Sequence, residues 1–211
     1  TSFDKLVDLL IEDNVDIVIN DILDVDCKYL CKLIQRDIFV VNFENNSSCE
    51  QKADLSFNAL YEFTGNVESY FYGYKYEVLR EDIYLFPIKK HFNNENLTVT
   101  VSFGGTDINN ASLLVLDYLF KFKDNLNIVL ILGFGFKHEK EINDYLNINK
   151  FKLLTIVNDV KFMAHYINKS DFVIIGNGRM VYEVVSLAVP LLVISQNERE
   201  TTHTFSKHCD G

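Results

Sequence analysis

Two glycine-bearing turns carry the first chemical signal in this sequence. Val101-Ser102-Phe103-Gly104-Gly105-Thr106-Asp107 runs from an apolar stretch into two glycines, then into hydroxyl and carboxylate side chains able to cap a helix. Ile174-Ile175-Gly176-Asn177-Gly178-Arg179 repeats the arrangement before the helical run Met180 to Leu187. Glycine lets a phosphate approach the main chain, and the start of the following helix adds about half a positive charge. Neither turn has the three glycines of a dinucleotide fingerprint or the Gly-Lys-Ser/Thr of a Walker loop. Glu183, one turn into the second helix among Val181, Val184 and Val185, can accept bonds from a pair of sugar hydroxyls if it faces the loop. Ser195-Gln196-Asn197 ends a further apolar run and brings amides to the same edge.

The histidines do not assemble a metal site or a nucleophile relay. His203 and His208 are five apart, roughly 140° around a helix, so they do not share a face. His138 lies in a charged run, His91 in a polar linker, and His165 reads as a structural residue on an amphipathic helix. No metal and no cofactor are expected.

The elements that must position these loops follow from periodicity. Helical spacing at Phe3, Leu6, Val7, Leu10 and Ile11 precedes a strand at 16–20, a helix at 25–35, a strand at 38–43 and a weaker apolar piece at 53–58. Two or three parallel strands make a thin sheet, so the reading is a first Rossmann-like lobe, 1–90, truncated at its start. The Asn-rich segment 89–96 is the candidate linker. Beyond it, strands at 97–103, 128–132, 151–157, 172–175 and 191–194 alternate with helices at 110–122, 137–146, 160–168, 179–187 and from 198 onward. This predicts a doubly wound α/β lobe of five parallel strands over 97–211, and ligands bind such sheets at the carboxyl ends of the strands.

Composition narrows the partners. The net charge is −10, with no block of basic residues, which argues against nucleic acid as a partner. An anionic ligand must then be held by local amides and helix termini. No apolar run reaches membrane-spanning length, so no membrane partner is expected. Cys27, Cys31, Cys49 and Cys209 show no paired metal knuckle or secreted-scaffold density, which predicts reduced thiols and a cytoplasmic location. Cys27 and Cys31, four apart on a helix, read as small buried core residues.

In their order, several blocks resemble one enzyme group: the 72–82 block from Tyr72-Gly73-Tyr74 to Leu79-Arg80-Glu81-Asp82, Ser102 to Asp107, Gly178-Arg179-Met180-Val181-Tyr182-Glu183, Ala188-Val189-Pro190 and Gln196-Asn197. The group comprises the UDP-sugar hydrolase of pseudaminic acid biosynthesis and the spore-coat polysaccharide SpsG proteins. More distantly, the second half is similar to MurG-type glycosyltransferases. The resemblance implies a GT-B-like architecture of two Rossmann-like lobes with parallel sheets, and a UDP-sugar ligand in the cleft between them. It implies that Glu183 bonds the ribose and that Gly178 and Arg179 face the diphosphate. Val160 would offer its backbone to the base, Gly104, Gly105 and Thr106 would line the cleft, and Gln196 and Asn197 would close it.

The sequence departs from that group in two respects. The hydrolases carry an N-terminal Gly-rich block ending in the His held to be their general base; nothing in 1–58 matches it, so the catalytic residues are unassigned. The usual Gly before the proline is replaced in Ala188-Val189-Pro190, and the Asn-Gln pair is Gln196-Asn197. Two functions follow: a nucleotide-sugar hydrolase or glycosyltransferase-like protein of surface-glycan biosynthesis, or a non-catalytic nucleotide-sugar-binding module fused to other domains, such as a cytidylyltransferase.

Overall fold

The computed structural model describes residues 3–61, 65, 67–88 and 96–208. The chain divides into two compact units, 1–77 and 78–211. Most of the linker segment 89–96, including His91, lies outside the described residues, as does Cys209.

The first unit runs α1 (Phe3–Glu12), β1 (Ile17–Asp21), α2 (Cys27–Ile34), β2 (Phe39–Phe43), β3 (Leu55–Asn58) and β4 (Tyr70–Tyr72). Its four strands are parallel and lie in the order β1-β2-β3-β4. Asp26 starts α2 by accepting from the Lys28 and Tyr29 amides at 2.8 and 2.9 Å, which satisfies two of the donors a helix leaves unpaired. Val7 of α1 and Tyr29, Leu30 and Leu33 of α2 pack with Val40 and Val18 over one face of the sheet. The weak apolar piece is β3, and a fourth strand, missed in the sequence, forms from the aromatic stretch. Phe43, Phe57 and Phe71 stack across three adjacent strands with ring centroids 5.2 and 5.1 Å apart. Cross-strand aromatic pairing of this kind offsets the missing alternation signal in so short a strand.

The second unit contains β5 (Leu97–Ser102), α3 (Ala111–Leu119), β6 (Leu126–Leu132), α4 (Glu139–Ile148), β7 (Leu153–Asn158), α5 (Met163–Lys169), β8 (Phe172–Gly176), α6 (Met180–Ser186), β9 (Leu191–Ile194), α7 (Glu198–Thr201) and α8 (Phe205–His208). The five predicted parallel strands are present, in the order β7-β6-β5-β8-β9. The order reverses between β5 and β8, so their two carboxyl-end loops diverge from a topological switch point. Helices cover both faces: Val115, Leu116 and Ile142 pack on one side, and Ala164, Ile167, Val181 and Val184 on the other. This two-sided burial explains why the strands read as continuous apolar runs.

Two sequence expectations are revised. Residues 78–88, assigned by sequence to the first lobe, pack in the second unit, where Ile83 joins the core with Met163 and Val173. Asp82, buried, accepts from the Ala164 amide at 3.2 Å and so caps α5. The helix expected from 198 onward is two short ones, separated at His203, which is buried and bonds to the Asn177 carbonyl. Among the described residues no helix is long and apolar enough to cross a membrane.

The expectation of reduced thiols is also corrected: Cys27 and Cys49 form a disulfide, while Cys31 is free and half-buried. The Val25 amide donates to Asn45 Oδ1 at 3.0 Å and the Asn46 amide to the Leu23 carbonyl at 2.7 Å. The loops after β1 and β2 are thus already side by side, which sequence spacing does not reveal. The bridge closes a loop between residues 22 apart. Reduction or Cys27→Ser is expected to lower the stability of the first unit by roughly 2–4 kcal/mol, and Cys31→Ser to leave it near wild type. Denaturant unfolding with and without a phosphine reductant measures both.

Candidate functional site

The site is built on the loops after β5, β8 and β9. Past Ser102 the chain buries Phe103 and turns at Gly104, whose φ of +72° is a left-handed conformation that a side chain disfavours. Asp107 then accepts from the Ala111 and Ser112 amides at 2.7 and 3.0 Å, fixing the start of α3. The capping role expected of this segment thus falls to Asp107.

At the end of β8, a Cβ on Gly176 would lie 2.8 Å from the Gln196 side-chain nitrogen, so a larger residue there would push the Gln196 amide aside. Glu200 ties this loop to the next: its Oε2 accepts from the Asn177 amide at 3.1 Å and the Gln196 amide at 2.8 Å. Gln196 Nε2 donates to the Phe103 carbonyl at 3.1 Å, bringing in the β5 loop. Asn109 completes the tie by donating to the Gln196 carbonyl.

These loops enclose a cavity of about 280 Å³ at the switch point. Of the residues expected in a ligand site, Gly104, Gly178, Arg179, Glu183 and Gln196 line it together. A Cβ at Gly104 or Gly178 would meet nothing within 4 Å, so both main-chain segments face open space. Met180 begins α6, and the Val181 and Tyr182 amides bond back to the Gly178 and Arg179 carbonyls at 3.2 and 3.0 Å, making a tight first turn.

The other four expected residues are placed elsewhere. The Gly105 carbonyl accepts from the Gly135 amide at 2.8 Å, and Thr106 packs beside Gly135, so both brace the loop after β6. Val160 lines a separate cavity of about 580 Å³ with Phe86, Phe162 and His165. Asn197 is exposed and caps α7 by accepting from the Glu200 amide at 3.0 Å.

Sequence reasoning missed Arg80, Met163 and Glu200, which also line the cavity. Arg80 stands in a block the sequence had placed in the other lobe, and nothing local links it to residues a hundred positions away. Glu200 had a legible signal: it is the third residue of a helix capped by Asn197, close to the loop already singled out.

The electrostatics are balanced locally. Arg80 Nε donates to Asp82 Oδ1 at 3.2 Å and its terminal nitrogen donates to the Lys161 carbonyl. Burial pushes the Glu183 carboxyl above the ordinary glutamate range; Arg80 pulls it back down and Asp82 raises it further. The residues lining the cavity thus include two arginines, Glu200, whose carboxylate is already bonded to amides, and Glu183, whose carboxyl is desolvated.

The architecture defines a class of fold: an α/β chain with parallel sheets, similar to that of GT-B proteins. The fold is similar to UDP-GlcNAc 2-epimerase from Neisseria meningitidis, in a structure bound to UDP-GlcNAc, with a TM-score of 0.59 and 14% identity over 94% of this chain and 65% of that one. It is similar also to MurG of Acinetobacter baumannii, with a TM-score of 0.53 and 12% identity over 99% of this chain and 68% of that one. In sequence, the chain is 31% identical over 202 residues to an uncharacterized protein of Methanocaldococcus jannaschii, covering 87% of this chain and 41% of that protein. It is 27% identical over 209 residues to the spore coat polysaccharide biosynthesis protein SpsG of Bacillus subtilis, covering 89% of this chain and 58% of that protein, a distant homology. The chain spans about half the length of these curated relatives. No family model matches it.

A raised carboxyl pKa favours the protonated form in the folded state, so its contribution to stability is greatest below the unfolded value and is lost as pH rises through the folded one. Glu183→Gln is therefore expected to raise the thermal midpoint of the ligand-free protein near pH 7.5, with the gain shrinking toward about pH 4. Melting curves of both proteins across that range test it.

Proposed function

We propose that the second unit binds the nucleotide of a UDP-sugar and that the protein acts on such a donor in polysaccharide or surface-glycan biosynthesis. The observation that carries this reading is the cavity between the β5 and β8 loops, where Gly104, Gly178, Arg179, Glu183 and Gln196 meet. Open main chain at the two glycines admits phosphate oxygens, Arg179 and Arg80 supply charge-assisted donors, and Glu183 accepts from vicinal ribose hydroxyls. The fold similarity to proteins that handle UDP-linked sugars, and the distant homology to SpsG, support the same ligand class.

The reaction we propose is cleavage of the anomeric C–O bond. An oxygen nucleophile, water or an acceptor hydroxyl, bonds to the anomeric carbon as the bond to the diphosphate breaks, and UDP departs with the electron pair. Donors at Gly178, Arg179 and Arg80 stabilise the charge developing on that leaving group. The group that takes the nucleophile's proton is not assigned to any residue of this chain.

Calorimetric titration with UDP is the direct test. Wild type is expected to bind, and Glu183→Ala to weaken binding about ten- to a hundredfold, the cost of losing a hydrogen bond to a charged group. Affinity unchanged by the substitution would remove Glu183 from the site.

A further inference from the structure

The loop after β6 presents a feature that the nucleotide site does not use. Gly133-Phe134-Gly135-Phe136 is a tight turn in which the Phe136 amide donates to the Gly133 carbonyl at 3.0 Å. A Cβ at Gly133 would stand 2.4 Å from the Gly104 carbonyl oxygen and 2.5 Å from the Gly105 Cα. The turn therefore lies with its main chain directly against the loop that forms one wall of the cavity, and the Gly135 amide fastens it there through the Gly105 carbonyl. Phe136 anchors the far end in the core, edge-on to His138, whose Nε2 lies 3.1 Å from the Ile108 carbonyl. Pinned on both sides, the turn points its corner side chain outward: Phe134 is 90% exposed.

Single exposed apolar side chains are ordinary, but this one stands on a braced turn at the carboxyl edge of the sheet, beside the cavity wall. The cavity itself holds about 280 Å³, at the small end for a ligand site, so the remainder of a nucleotide sugar extends beyond its rim. Among the described residues that line the cavity, the one aromatic ring belongs to Phe103, which is committed to the core. A phenyl ring donates and accepts no conventional hydrogen bond; what it offers is a flat apolar face, which matches the C–H face of a pyranose.

We propose that Phe134 is the platform on which the sugar ring of the donor packs, a specificity-determining contact for the glycosyl part and not for the nucleotide. The inference rests on the nucleotide-sugar reading above. It predicts that the two parts of the ligand are gripped by different loops: nucleotide by those of β5 and β8, sugar by that of β6.

The test compares UDP with UDP-GlcNAc and UDP-glucose by calorimetry, reading the ratio of each sugar nucleotide's Kd to that of UDP. Phe134→Ala is expected to raise the ratio about ten-fold, with UDP affinity and thermal midpoint unchanged, and Phe134→Tyr to retain the wild-type ratio. An unchanged ratio in the alanine variant overturns the proposal. So does equal weakening of UDP and the sugar nucleotides, which would mean that the side chain acts on the nucleotide through the loop. Wild-type protein that binds no UDP would instead sink the nucleotide reading, and this inference with it.

Discussion

The carboxylate of Glu200 is the constraint on which the rest of the candidate site depends. Parallel strands end in separate loops, and nothing in a β-ladder fixes one loop against the next. Here one carboxylate accepts from the amides of Asn177 and Gln196, and the Gln196 side chain reaches the Phe103 carbonyl, so three loops from three strands become one rigid rim. Buried main-chain donors and acceptors must be paired, and this arrangement pairs them without a helix or strand to do so. The Gln196 amide packs directly over Gly176, at the end of β8.

The electrostatic character follows from the same economy of means. A chain of net charge −10 cannot attract an anion by its overall field. Anion donors have to be local instead, and Arg80, Arg179 and open main chain at Gly104 and Gly178 stand together around one small cavity, beside the carboxyl groups of Glu183 and Glu200. The acidic groups nearby are each given work: Asp82 caps α5 and accepts from Arg80, Asp107 caps α3, and Glu200 binds amides. Glu183 is the exception, desolvated and raised in pKa, and carboxyls in that state are found preferentially where ligands bind.

The first unit is organised differently. Its sheet is covered on one face by α1 and α2, while Ile17, Ile19 and Phe39 on the opposite face are exposed. At the carboxyl end the strands carry buried asparagines in place of apolar side chains, with Asn20 donating to Asn42 at 2.9 Å. The disulfide between Cys27 and Cys49 lies at this end as well, joining α2 to the loop after β2. The polar layer and the covalent bridge join these loops alongside the apolar contacts of Val25 and Ala53 with the core.

Much of the second unit was legible because local rules and tertiary demands agree there. Five apolar runs, each followed by a turn and a helical stretch, point to a parallel doubly wound sheet, and Gly104, with a φ of +72°, marks a turn that a side chain disfavours. The short aromatic strand β4 was not legible, since three residues carry too little periodicity and its pairing with β3 supplies the missing energy. Nor was the pairing of Cys27 with Cys49 or the place of Arg80, because both depend on which loops become neighbours. The sequence by itself determined most of the strands and helices and the glycine-bearing turns, for these are set by side-chain periodicity and backbone sterics within a few residues. Only the tertiary structure decided that Arg80, Gly104, Glu183 and Glu200 share one cavity while Val160 and Asn197 do not, because strand order and the hydrogen bonds between loops are long-range choices that no local pattern encodes.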